Sequence, residues 1–333
     1  LGPPSEISQA MGTANWADIF TNVGADPDEA NRRFLEQKQE QPAFPSEASP
    51  AVDLGEPVHT DVLHQFSTVA RRQIRLVISD RGYTVFLALL PFLIGTLTLT
   101  VRGKTGYGMS DPMGNNPAQP DQILVMLNVG AVFMGTALTI RDLIGERAIF
   151  RREQAVGLST WAYLSAKVSV FCAFAVAQAA IATGIVLLGK GAPTQPAVLL
   201  GNPSFELFTA VAATCMASAI LGLLLSSIAR SNEQIMPLLV VAVMSQLVFS
   251  GGMIPVTDRL GLDQMSWATP ARWGFATSAS TVDLIKLVPG PLTPKDSHWH
   301  HTAGAWWFDM AMLAFISLCY VSFVRWKIRL KGG

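Results

Sequence analysis

The chain has 333 residues, half of them hydrophobic and only 14% charged, with 24 basic against 24 acidic side chains and a mean hydropathy of +0.35. That balance is too apolar for an ordinary soluble domain, and a neutral chain offers nucleic acid no electrostatic footprint. Cys172, Cys215 and Cys319 all fall in apolar stretches, so free thiols packed as small hydrophobes are expected and no disulfide framework.

Residues 1–58 open with Trp16, Ile19, Phe20 and Val23 at helical spacing, and the mixed-charge stretch from Asp28 to Gln41 extends a helix. Pro42, Pro45, Pro50 and Pro57, set among Ser, Glu and Ala, then predict a tether. Over residues 59–81, Val62, Phe66, Val69 and Val77 share one helical face while Arg71, Arg72 and Arg75 lie off it. The pattern is that of an amphipathic helix in the headgroup layer with its arginines toward anionic membrane lipids.

Residues 82–333 carry six apolar spans, at about Tyr83–Val101, Gln122–Ile140, Trp161–Leu188, Phe205–Ile228, Ile235–Ile254 and Ala305–Val324. Each is long enough to cross roughly 30 Å of hydrocarbon as a helix, which predicts an all-α membrane protein. Arg71, Arg72, Arg75, Arg81, Arg141, Arg147, Arg151, Arg152, Arg230, Arg325, Lys327, Arg329 and Lys331 cluster on one side of the spans. The longer loops of the other side hold few cations, so both termini are expected in the cytoplasm, with the chain multi-pass in the plasma membrane. Lys167, Glu206 and Asp309 lie near span ends, where an interface role fits better than a proton path, and Lys167 can snorkel. No buried Ser/His/Asp, paired-carboxylate or Cys/His set stands at mid-membrane, which argues against an intramembrane hydrolase or transferase.

Between the second and third spans, Glu146, Arg147, Phe150, Arg151 and Glu153 mix both charges with an aromatic at helical spacing. By charge alone this is either a solvated cytoplasmic loop or a surface helix that touches another protein. Glu146-Arg147, Phe150, Glu153, Gly157, Tyr163 and Lys167 follow an E-K/R-x-x-F-x-x-E-x-x-x-G-x-x-x-x-x-Y-x-x-x-K spacing. Downstream, Phe249-Ser250-Gly251 is followed by Trp267 and then Pro270-Ala271-Arg272-Trp273-Gly274-Phe275. In this order the two runs resemble those of the G-type ATP-binding-cassette exporters, over most of residues 60–325.

The resemblance implies a six-helix permease domain working with a second identical subunit and with a cassette ATPase domain encoded upstream of Leu1. ATP and Mg would be bound by that ATPase domain and not by these residues. It makes residues 1–58 the tail of the ATPase domain with its linker, residues 59–81 the connecting helix, and the loop at Glu146–Glu153 the coupling helix. It also implies a cavity for an amphipathic, lipid-like substrate at a two-fold axis, lined by Leu127, Asn128 and Ala131 with Met244, Leu247 and Val248. Read without the resemblance, Asn128, Gly130, Gly135 and Thr136, with Met244, Ser245 and Gln246, equally serve helix packing. Where some family members close the cavity with a leucine pair, Gly252-Met253 stand here, implying a wider or absent gate. Other readings are a channel without ATP coupling, and an enzyme or scaffold acting on envelope lipids.

Two further stretches invite over-reading. Gly103-Lys104-Thr105 ends like a phosphate loop, but Thr98 stands where that motif needs its first glycine. In the long loop from Pro255 to Gly304, His298, His300 and His301 sit together without a cysteine, so an incidental polar turn fits better than a metal site.

Overall fold

A long apolar run has one way to satisfy its backbone in a membrane, which is to coil so that every N–H meets a carbonyl of its own segment. The computed structural model follows that rule, and it describes residues 61–289 and 296–329 together with scattered positions between Asn15 and Glu36. The expectations for Trp16, Ile19, Phe20, Val23, the four tether prolines and Lys331 lie outside the described residues. Residues 1–59 and 60–333 are separate compact units. In the first, Asp28, Glu29, Asn31, Arg32, Leu35 and Glu36 are helical, and Asp26 Oδ1 accepts the Glu29 N–H at 3.0 Å as a cap.

The second unit begins with α1 (Val62–Ser79), capped by Asp61, whose carboxylate accepts the Leu63 N–H at 2.9 Å. Only Asp80 separates it from α2 (Arg81–Leu99), and the same aspartate caps α2 through the Tyr83 N–H. Then come α3 (Gln119–Thr139), α4 (Asp142–Ala155), α5 (Thr160–Lys190), α6 (Pro203–Ile228) and α7 (Ile235–Phe249). Three short helices, α8 (Leu262–Ser266), α9 (Pro270–Val282) and α10 (Leu284–Leu287), precede the final α11 (Ala303–Ile328). No strand occurs among the described residues, and six helices are long and apolar enough to cross a membrane. The expected all-α, six-span architecture is the observed one. The fifth span ends earlier than its hydropathy suggests, because Gly251 takes a φ of +86° and breaks the helix before Met253 and Ile254.

The core is built on α3 and α6, which are buried along most of their length while α2, α7 and α11 show apolar faces such as Phe86, Leu89, Val240 and Leu318 outward. Small residues bring the central pair together: Thr139 Oγ1 donates to the Ala219 carbonyl at 2.6 Å, and Gly135 packs against the backbone of Cys215 and Ala219. A Cβ at position 135 would stand 2.8 Å from Ala219 N and 2.9 Å from Ser218 Cβ, contacts that only a separation of the helices relieves. Gly135→Ala is therefore expected to cost about 1–3 kcal/mol in thermal denaturation of the purified protein. Gly184→Ala, where an added Cβ meets nothing within 4 Å, should be neutral or stabilising, and equal behaviour of the two would contradict this packing.

The most enclosed helix is α9, every residue of which is buried against α3, α6 and α11. Burying a Ser/Thr-rich helix is tolerable because its hydroxyls turn back on it. Thr277, Ser278 and Thr281 donate to the carbonyls of Trp273, Gly274 and Thr277 at 2.8–2.9 Å. Pro270 starts it at a position that has no N–H to lose, and Asp283 in the left-handed region (φ +57°) stops it.

Candidate functional site

α1, α4, the start of α5 and the end of α6 meet at a charged joint. α4 carries Asp142 in its first turn and Arg152 in its last, both favourable to the helix dipole. Leu143 and Phe150 are its buried residues, and Phe150 stacks on Tyr163 of α5 with ring centroids 4.0 Å apart. Beneath that stack, Lys167 of α5 is fully buried. Its ammonium reaches Gln73 Oε1 and Asp142 Oδ2 at 2.6 Å each and Glu146 Oε2 at 2.9 Å, which uses all three of its donors. Gln73 completes the circuit by donating to Asp142 Oδ1 at 2.8 Å, and the Tyr163 hydroxyl donates to Glu146 at 3.2 Å.

Arg72, one residue along α1, pairs with Glu153 and stands 3.7 Å from Glu146. Burial works against its charge, but the Glu153 hydrogen bond and the charges of Glu153 and Glu146 outweigh it, so the guanidinium holds its proton more firmly than usual. On the far side of α4, Arg147 donates to the carbonyls of Ser227 and Ala229 at 3.2 and 2.7 Å, satisfying the last turn of α6. Gln65 at the start of α1 bonds Gly157 O and the Ser159 N–H, clamping the turn from α4 to α5.

Glu146, Arg147, Phe150 and Glu153 therefore face inward, each committed to a neighbouring helix of the same chain. Arg151 is exposed. The side of α4 left open is the stripe Gly145, Ala148, Ile149, Arg152 and Val156, with Ile149 52% and Val156 84% exposed. Spacing placed the motif correctly on one helix but did not reveal Arg72, Gln73 and Asp142 as its partners. The available signal was Gln73, which sits with Val69 and Val77 on the buried face of α1 and needed a polar partner there. Lys167 does not snorkel; three acceptors hold it inside.

The expected cavity residues divide into two sets. Leu127, Asn128 and Ala131 are buried inside the single chain, while Met244 is 54% and Val248 36% exposed on α7, with Leu247 half-buried between. Asn128 Nδ2 donates to the Ala271 carbonyl at 3.0 Å, and Gln246 Oε1 accepts the Ala271 N–H at 2.9 Å. The two span amides thus pin the first turn of α9 from α3 and α7. The Asn128 amide N–H is satisfied within the chain, as expected of a buried polar group with a protein acceptor in reach.

In the first turn of α9, Arg272 is buried and forms an ion pair with Asp296, Nη1 to Oδ2 at 2.7 Å, with Thr257 bonded to both. Burial pushes the Asp296 carboxyl upward, but the Arg272 charge and the bonds from Arg272, Thr257 and the His298 N–H win and hold it below the ordinary carboxylate range. Glu206 accepts the N–H groups of Val198, Leu199 and Leu200 at 2.9–3.2 Å, and His298 lies 3.6 Å from Asp309. His301 Nδ1 meets the Ser280 carbonyl at 2.8 Å, so the histidines turn to different partners. Among the described residues no group of three or more His, Cys, Asp or Glu could hold a metal ion. Thr105 of the Gly-Lys-Thr run gives its hydroxyl to Gln119 at 2.6 Å, and these residues form no phosphate cradle.

Six helices long and apolar enough to cross a membrane, a further helix leading into them and a short helix bolted across the ends of two of them make up a multi-pass membrane domain. The family model described as ABC-2 type transporter matches residues 64–281, and the chain belongs to that family. It is 70% identical over 331 residues to the "ABC transporter ATP-binding/permease protein Rv1747" of Mycobacterium tuberculosis (strain ATCC 25618 / H37Rv). That match covers 99% of this chain and 38% of the relative, so the chain spans well under half of the relative's length. The permease identity expected from the coupling-like motif thus agrees with the family.

Proposed function

We propose that this chain is the permease half of an ATP-driven exporter, working as a pair of identical subunits in the plasma membrane with both termini cytoplasmic. The relative is named as both ATP-binding and permease, and its greater length leaves room for an ATPase domain. The observation that carries the reading is the two-sidedness of α4. One side is fixed to α1, α5 and α6, and the other offers Ile149, Arg152 and Val156 to a partner. A push on the open side would move the helix ends together with it, because ion pairs and a ring stack leave α4 little freedom to slide alone. Motion would then pass into the spans and alternate the access of a cavity on the open face of α7, where Met244, Val248 and the half-buried Leu247 stand. Asn128 would act from behind that wall by fixing α9, with Leu127 and Ala131 buried beside it on α3. Such a lining suits an amphipathic, lipid-like substrate.

Ile149→Glu in the full-length transporter tests this directly. Ile149 is half exposed, so thermal stability should be unchanged, while substrate-stimulated ATP hydrolysis should fall about thirtyfold, the loss of one apolar interface anchor of about 2 kcal/mol. Unaltered stimulation would remove α4 as the point of coupling.

A further inference from the structure

On the outward side of α1, Thr68, Arg71, Arg72, Arg75, Leu76 and Ser79 line a pocket of about 390 Å³. Three arginines, a threonine and a serine line it together with Leu76, and no acidic residue does. Arg72 is already paired with Glu153. Arg71 donates to Ser67 Oγ at 2.8 Å, and among the described residues neither Arg71 nor Arg75 has a carboxylate partner. Exposed cations without counter-charges, held in one groove beside hydroxyl donors, are the chemistry that takes a phosphate.

Position selects the source of that phosphate. α1 runs into membrane helix α2 through Asp80 alone, so Arg75 and Ser79 stand within about two turns of the membrane entry. Along the flank of α1 next to the arginines, Leu63, Ile74 and Ile78 are 75%, 40% and 59% exposed. An apolar flank beside a cationic one on the same helix matches acyl chains below and headgroups above.

We propose that Arg71 and Arg75 bind the phosphate of an anionic phospholipid headgroup, with Arg72 at the edge of the site. Arg72 is also the α1 residue that holds Glu153 and faces Glu146, so an occupied site places the lipid's charge against the joint that carries α4. This site does not depend on the transport reading, because its occupancy can be measured without turnover.

The test is native mass spectrometry of the full-length protein released from phosphatidylcholine nanodiscs with and without phosphatidylglycerol. Phosphatidylglycerol should remain bound to the wild type, and Arg71→Gln or Arg75→Gln should each weaken its retention about fivefold, the effect of one arginine at a charged membrane surface. Arg329→Gln, a cation at the inner end of α11 outside the pocket, should leave retention unchanged. Equal loss from Arg329→Gln would mean diffuse surface charge and overturn the site. So would full displacement of the lipid by millimolar inorganic phosphate, which would make it a soluble-anion site. Unchanged retention in the Arg71→Gln/Arg75→Gln protein would likewise overturn it.

Discussion

Lys167→Met should be among the most damaging single substitutions in the chain, lowering stability by about 3–5 kcal/mol and depressing the yield of folded protein. The methionine fills the space of the lysine stem, so the loss is electrostatic and not a cavity effect. Removing the ammonium leaves Asp142 and Glu146 facing each other in a buried site, with Gln73, the Tyr163 hydroxyl and the more distant Arg72 in place of their cation. Thermal denaturation of the purified protein checks the cost. The companion Lys167→Met/Asp142→Asn/Glu146→Gln should recover most of it, because breaking a buried ion cluster is worse than replacing all of it with neutral groups. A single variant as stable as the wild type would mean that water, not Lys167, neutralises the joint.

The joint also marks where reading the sequence stopped. The spans were legible because about twenty apolar residues in a row have one stable form in a bilayer, and their observed bounds differ from the expected ones mostly by a few residues at each end. Glu146, Phe150 and Glu153 were legible as one helix because local spacing fixes a face. Their partners were not. Gln73 lies 69 residues from Asp142 and 94 from Lys167, and Arg72 lies 81 from Glu153, and no periodicity reports pairs at such separation. The amides of Asn128 and Gln246 were visible as polar residues in greasy spans. That their common partner is the backbone of Ala271, 143 and 25 residues away, depends on α9 folding back into the helix layer. Composition alone reads the segment around α9 as an outer loop.

The second large effect is expected where the first turn of α9 is anchored. Asp296→Asn removes the counter-charge of Arg272, a guanidinium buried among Thr257, Trp299 and Gly251. The expected loss is again about 3–5 kcal/mol at neutral pH, and Arg272→Met/Asp296→Leu should restore much of it. The pH dependence has a defined sign. Asp296 is held below its ordinary value in the folded chain, so its contribution is complete above the unfolded carboxylate value of about 4 and fades as the pH falls through the lower folded value. Wild type and Asp296→Asn should therefore differ most at pH 7 and converge as the pH is taken below about 4. Denaturation of both proteins across that range gives the comparison, with titrations common to the two cancelling in the difference. A gap that stays constant down to pH 3 would show that the loss comes from the hydrogen bonds of Thr257 and His298 and not from the Asp296 charge.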